Sequence, residues 1–198
     1  MSDTKQPTQG MIQVPDHIYD VFSKSTCIYS RSYIEDGLDK MATAMSYKLS
    51  ASNPIFLCVL IGGIIPLGNL LPRLNFPLQV DYIHATRYRG GLIGKDLQLK
   101  AEPKMDLKDR VVVIVDDILD DGITLQAIMD YCANKGVHKV YTAVMVDKVR
   151  PRAKTAVQAP DFSGLKVDNH FLFGYGLDYN NYLRNAPGIY VVAPEHEK

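Results

Sequence analysis

Apolar positions along this chain follow two different periods, and the alternation between them predicts its elements. Residues 55–61, IFLCVLI, and 111–115, VVVIV, are apolar at every position. Such runs suit strands of a parallel sheet covered on both faces. Residues 79–85 and 139–146 read as further strands, 26–29 as a short one, 165–173 as strand-like, and GIYVV as a final strand. Between them the spacing turns helical. Ile18, Val21 and Phe22 mark a short helix starting near Asp16, and Ile34, Leu38, Met41, Met45 and Leu49 mark one face of a long helix ended by Asn53 and Pro54. Ser32 and Glu35 have capping-box spacing for that helix. Gly62 and Gly63 lead into a helix over 64–74. Leu125, Ile128, Met129 and Cys132 mark another, with Gly136 as its C-cap, and DYNNYLR (178–184) reads as a short helix.

Strands alternating with helices predict an α/β protein with an open, mostly parallel sheet flanked by helices. One stretch breaks the rhythm. Residues 86–106, TRYRGGLIGKDLQLKAEPKMD, mix glycines, charges and alternating apolar residues, which fits a mobile hairpin better than a packed element. Residues 1–10 are polar and read as a disordered tail, leaving 11–198 as one domain.

Charge and cysteine content narrow the classes. Lys plus Arg and Asp plus Glu balance at 22 each, so no basic excess points to nucleic acid. Cys27, Cys58 and Cys132 are scattered, without paired ligand spacing, and read as buried thiols in a reducing compartment. The polar N-terminus offers no signal core. The longest apolar stretch, 55–68, is broken by Gly62, Gly63 and Pro66 and is too short to span a bilayer. These features lead us to expect a soluble cytoplasmic protein with no membrane partner.

The chemistry concentrates in 111–125, VVVIVDDILDDGITL. An apolar strand runs into Asp116, Asp117, Asp120 and Asp121, then Gly122 and Thr124, then a helix. Free amides and the positive dipole end at a helix start make an anion site. Carboxylates around it suit a ligand that carries phosphate, hydroxyls and a metal ion together.

This stretch resembles the phosphoribosyl-diphosphate (PRPP) motif of type I phosphoribosyltransferases. From about the first helix to the C-terminus the chain resembles the bacterial hypoxanthine-guanine phosphoribosyltransferases. The resemblance implies that family's fold, a twisted sheet with a small hood built from the N- and C-terminal segments, and a flexible lid at 86–106. It implies transfer of the phosphoribosyl group from PRPP to hypoxanthine or guanine, giving IMP or GMP and diphosphate, with magnesium, in a homodimer or homotetramer. A xanthine-preferring enzyme and a nucleotide-sensing regulator of the same fold are the alternatives.

Site residues follow from the same resemblance. Asp116 and Asp117 would face the ribose hydroxyls and, with Asp178, help place magnesium. Residues 121–124 (Asp121, Gly122, Ile123 and Thr124) would cradle the 5′-phosphate, and Asp120 would manage the proton of the purine. Relatives commonly carry threonine and lysine in place of Asp121 and Ile123, so the Asp121 charge should point away from the phosphate or pair with a basic group. Ile61 and Gly62 would belong to the diphosphate loop, where many relatives have lysine in place of Ile61. Tyr88 would close over the reacting centre. Arg152 and Arg184 would lie near diphosphate. Lys148 would donate to the purine 6-oxo group, Phe171 would stack on the base, Leu172 would read its edge through backbone groups, and Asp178 would lie near position 2. Arg87, Arg89 and His170 receive no firm role.

Overall fold

The structure, a computed structural model, describes residues 15–87 and 97–197. Tyr88 and Arg89, the tip of 86–106 and the tail 1–10 lie outside the described residues. The two apolar runs become neighbouring strands, β2 (Ile55–Val59) and β5 (Val111–Leu119), paired in parallel with Ile55 opposite Val112. With β3 (Gln79–Arg87), β4 (Leu97–Ala101), β6 (Lys139–Val149) and β7 (Phe162–Asp168) they form a six-stranded sheet in the order β4-β3-β2-β5-β6-β7. All its pairings are parallel except β3 with β4.

Alternation along the strands explains why both faces are apolar. Phe56, Cys58, Val113 and Val115 pack on one side with Ile34, Leu38, Met41 and Met45 of α2 (Arg31–Leu49) and Leu67 and Leu70 of α3 (Ile64–Leu70). Ile55, Leu57, Val112 and Ile114 pack on the other with Leu125, Ile128 and Cys132 of α4 (Ile123–Asn134). The helices that follow β2 and β5 therefore leave on opposite faces. Between two such strands the carboxyl-end loops diverge and open a crevice, the usual ligand position in an open α/β sheet.

A second sheet, antiparallel in the order β1-β9-β8, joins the two ends of the chain: β1 (Thr26–Tyr29), β9 (Ile189–Val191) and β8 (Leu172–Phe173). The short helix α1 (Asp16–Lys24) packs Ile18 and Val21 in a cluster with Phe173 and Tyr179.

Several expectations need correction. The segment DYNNYLR is not a helix: Tyr179 and Tyr182 pair as an antiparallel bridge around Asn180 and Asn181, both at positive φ. Asparagine tolerates that left-handed conformation, so the tip is a tight turn. The stretch 165–173 divides between β7 and β8, which lie in different sheets. Ser32 is not an N-cap. The helix starts two residues earlier, after Ser30, and Glu35 reaches Arg73 and Arg31 instead of the backbone. Cys27 is exposed on the edge strand β1, while Cys58 and Cys132 are buried. Of 86–106, the described ends pair as β3 and β4 at the sheet edge, and Asp81 accepts the backbone N–H groups of Lys104 and Met105.

Candidate active site

The crevice is a cleft of about 360 Å³ at the carboxyl ends of β2, β5 and β6. Its walls bring together Ile61, Gly62, Asp116, Asp117, Asp120, Thr124, Lys148, Phe171, Leu172, Asp178 and Arg184, which the sequence places up to 123 positions apart (184 − 61). Strand β5 continues through Asp116 and Asp117, with Asp116 opposite Val144 of β6, so both carboxylates are held on regular backbone.

Burial pushes the Asp116 carboxyl well above its usual range, and the neighbouring Asp117 charge adds to this. Asp117 is raised by burial too, against the lowering effects of its bond with Asp116 and of nearby Arg184. Its backbone N–H donates to Asp116 Oδ1 at 2.9 Å. Two desolvated carboxyls side by side favour a proton, a cation or hydroxyl donors between them. Beneath them Cys58 is pushed up to about 11 by burial and by Asp116, so it stays a thiol.

Arg184 lies between the acid pair and the far wall. It contacts Asp178 Oδ1, lies 3.6 Å from Asp117 Oδ2, and donates to the Gly176 carbonyl at 2.6 Å. The three carboxylates expected to hold magnesium therefore do not form a cage of their own. Among the described residues no three His, Cys, Asp or Glu side chains gather closely enough to hold an ion.

The loop after β2 fits tightly under this arrangement. The Leu60–Ile61 peptide is cis. A Cβ on Gly62 would stand 2.0 Å from Asp117 Oδ2, and one on Gly176 would stand 2.5 Å from the Gly62 carbonyl. Glycine is required here by close approach. Gly62→Ala must displace the Asp117 carboxylate, which is only 14% exposed. With PRPP, the substrate that the sequence resemblance implies, we expect KM to rise by about tenfold, one lost interaction of about 1.4 kcal/mol, while thermal unfolding barely moves. Steady-state kinetics with varied PRPP checks this, and an unchanged KM would show that the loop absorbs the methyl.

At the start of α4, Gly122 takes φ +75°, and a Cβ there would meet the Val157 carbonyl at 2.5 Å. The Asp121 carboxylate accepts the Ile123 backbone N–H on Oδ1 at 3.0 Å. A carboxylate thus occupies one of the amides assigned to phosphate. The Ile123 side chain is exposed.

Across the cleft, Lys148 is 8% exposed and reaches Asp120 Oδ2 at 3.2 Å. Arg150 donates to the other oxygen, Oδ1, at 2.6 Å. Sequence reasoning missed Arg150. The available signal was its spacing of two from Lys148 at a strand end, which puts both side chains on one side. Phe171 is 40% exposed on the cleft wall and meets Tyr179 edge-on at 6.0 Å, whereas Leu172 is buried in β8. An aromatic ring left half open in a cleft offers a stacking face.

Arg152 sits behind the acidic loop. Its side chain is 6% exposed and lies outside the cleft lining. Nε donates to the Asp120 carbonyl at 2.8 Å, and Nη1 donates to the Gln158 carbonyl at 2.7 Å. Nη2 faces the Leu119 and Lys148 carbonyls and Asp147 Oδ1. The guanidinium is engaged by the backbone of the acidic loop and by Asp147, which fixes the Asp120 main chain. Arg152→Lys keeps the charge but loses the fork. We expect a melting temperature lower by about 4 °C with KM for PRPP within about twofold. A large rise in that KM without destabilisation would restore the diphosphate role.

A model described as "Phosphoribosyl transferase domain" matches residues 27–180. The chain belongs to the phosphoribosyl transferase family. It is 32% identical over 161 residues to a hypoxanthine-guanine phosphoribosyltransferase of Aquifex aeolicus, covering 80% of this chain and 89% of that one. To a hypoxanthine-guanine-xanthine phosphoribosyltransferase of Tritrichomonas foetus it is 29% identical over 163 residues, covering 82% and 88%. A solved hypoxanthine phosphoribosyltransferase from Staphylococcus aureus superposes with a TM-score of 0.83 at 23% identity, over 93% of this chain and 98% of that one. The cleft described above thus lies at the carboxyl ends of the strands of a phosphoribosyltransferase fold. Among the described residues no helix is long and apolar enough to cross a membrane.

Proposed function

We propose that this phosphoribosyltransferase moves the 5-phosphoribosyl group of PRPP onto hypoxanthine or guanine, releasing diphosphate and IMP or GMP. The observation that carries the reading is the base end of the cleft. There a buried lysine, Lys148, is paired with Asp120 in the same cleft as the half-open ring of Phe171. A flat ligand between ring and lysine would present its oxygen to an ammonium that has only donors. A purine proton then lies within reach of Asp120.

In the reaction a nitrogen of the purine forms a bond to C1′ of the ribose as the C1′–O bond to diphosphate breaks. Asp120 takes the proton that leaves the purine, as a general base held at hydrogen-bond distance. Phe171 keeps the ring in plane, and Leu172 offers backbone groups to its edge. Asp116 and Asp117 accept hydrogen bonds from the ribose hydroxyls, which relieves two carboxylates that burial leaves poorly solvated. Amides of residues 121–124 hold the 5′-phosphate at the start of α4, which requires Asp121 to yield the Ile123 amide. The loop at Ile61 and Gly62 offers backbone groups to diphosphate, with Arg184 beside it as a cation.

The donor set fits magnesium shared with substrate. Asp116 and Asp117 would hold it from one side while Asp178 stays with Arg184. Magnesium ordinarily uses one or two carboxylates together with substrate oxygens and water. When bound, it would offset the charge that develops on departing diphosphate.

The test is turnover by purified protein with PRPP and magnesium, offered hypoxanthine, guanine and xanthine in turn, with the nucleotide detected as product. Xanthine belongs in the panel because the similar Tritrichomonas foetus protein is named for three bases. Absence of nucleotide from every base would overturn the reading.

A further inference from the structure

Asp120 has two cationic neighbours, and they are not equivalent. Lys148 approaches Oδ2 at 3.2 Å, while Arg150 holds Oδ1 at 2.6 Å. A lysine that must also donate to an incoming purine oxygen loosens from its longer contact first. Arg150 has no such second task. Its hydrogen bond to Asp120 is the one described for its side chain, and its Nε is buried without a partner. The remaining charged groups nearby are already committed, since Arg152 binds backbone carbonyls and Asp147. On the far side Arg184 serves Asp117 and Asp178.

We infer that Arg150 is a positioning residue for proton transfer: it pins Oδ1 of Asp120 so that, when Lys148 turns to the purine, Oδ2 stays aimed at the proton. The inference rests on the proposed reaction and assigns a role that the acidic loop and Lys148 do not supply by themselves. Without Arg150, a carboxylate on a free Cβ–Cγ torsion follows Lys148 or swings to solvent. The near-attack geometry that lowers the barrier is then rarely populated.

A double-mutant cycle separates this from a structural role. Arg150→Gln should lower kcat/KM for hypoxanthine about tenfold, with KM for PRPP within twofold and the melting temperature unchanged. Arg150→Lys should recover most of the loss. In an Asp120→Asn background, where the base is already gone, Arg150→Gln should cost less than twofold. Should the glutamine variant not fold, Arg150→Met is read in the same cycle. A loss of equal size in both backgrounds overturns the inference, because Arg150 would then act elsewhere. So does full activity of the single variant. No turnover of any purine by the wild-type protein overturns the proposed reaction and this inference with it, whereas an active wild type with an additive cycle overturns this inference alone.

Discussion

Asp120→Asn should leave the fold and PRPP binding intact and reduce turnover by about 10²-fold or more, the usual range for a lost general base. Its backbone is fixed independently of its side chain, because Arg152 Nε holds the Asp120 carbonyl at 2.8 Å. The amide keeps one acceptor oxygen, which can stay on Arg150, while its NH2 takes the place of the oxygen that faced Lys148 and cannot take up a proton at neutral pH. Asp120 itself is 43% exposed, but the 10% exposed Lys148 side chain loses its carboxylate, so a modest fall in melting temperature accompanies the loss of turnover. Binding of PRPP measured by calorimetry, thermal unfolding and kcat on hypoxanthine together test this. Near-normal kcat would remove Asp120 from proton transfer and leave it as an anchor for two cations.

How much of this was legible in the sequence depends on which physical rule fixed each part. Runs such as 55–61 and 111–115 betray buried parallel strands because both faces must be apolar, and no helix of that length requires it. Strand ends were less legible. Asp116 and Asp117 read as a loop from their charge, yet ladder pairing with Val144 keeps Asp116 in β5. The turn at Asn180 and Asn181 was masked by helix-compatible neighbours. Its outcome is set by tertiary contacts such as Tyr179 donating to the His196 carbonyl at 3.0 Å. Arginines were the least legible. Arg150, Arg152 and Arg184 are chemically alike in a sequence, and only three-dimensional acceptors decide that one meets Asp120, one grips loop carbonyls and one bridges the acid wall. The glycine at 62 was readable as a turn, but not its reason, the Asp117 carboxylate lying against it.

Choice of base gives the second large effect. Adenine and hypoxanthine share a ring system and differ at position 6, where adenine presents an amine and hypoxanthine an oxygen. Lys148 has donors only, and at 8% exposure it has little water to make good a mismatch. Setting an amine against that ammonium costs on the order of 1–3 kcal/mol or more. A site built on a hydrogen bond also rejects the wrong partner far better than an apolar slot does. Adenine should therefore be a very poor substrate, while hypoxanthine and guanine both react. Lys148→Met removes the donor and roughly keeps the side-chain length. Asp120 retains Arg150 at 2.6 Å as its partner, so the base is not stranded. The variant should lose efficiency with both 6-oxopurines and narrow their advantage over adenine by about 10- to 10²-fold, the same 1–3 kcal/mol expressed as a ratio. PRPP affinity should change little, since the Lys148 ammonium pairs with Asp120 and has no role toward the 5′-phosphate in the proposed reaction. The measurement is kcat/KM for the three bases in wild type and variant. If the variant keeps the wild-type ratio of hypoxanthine to adenine, Lys148 does not read position 6, and its burial serves the Asp120 ion pair alone.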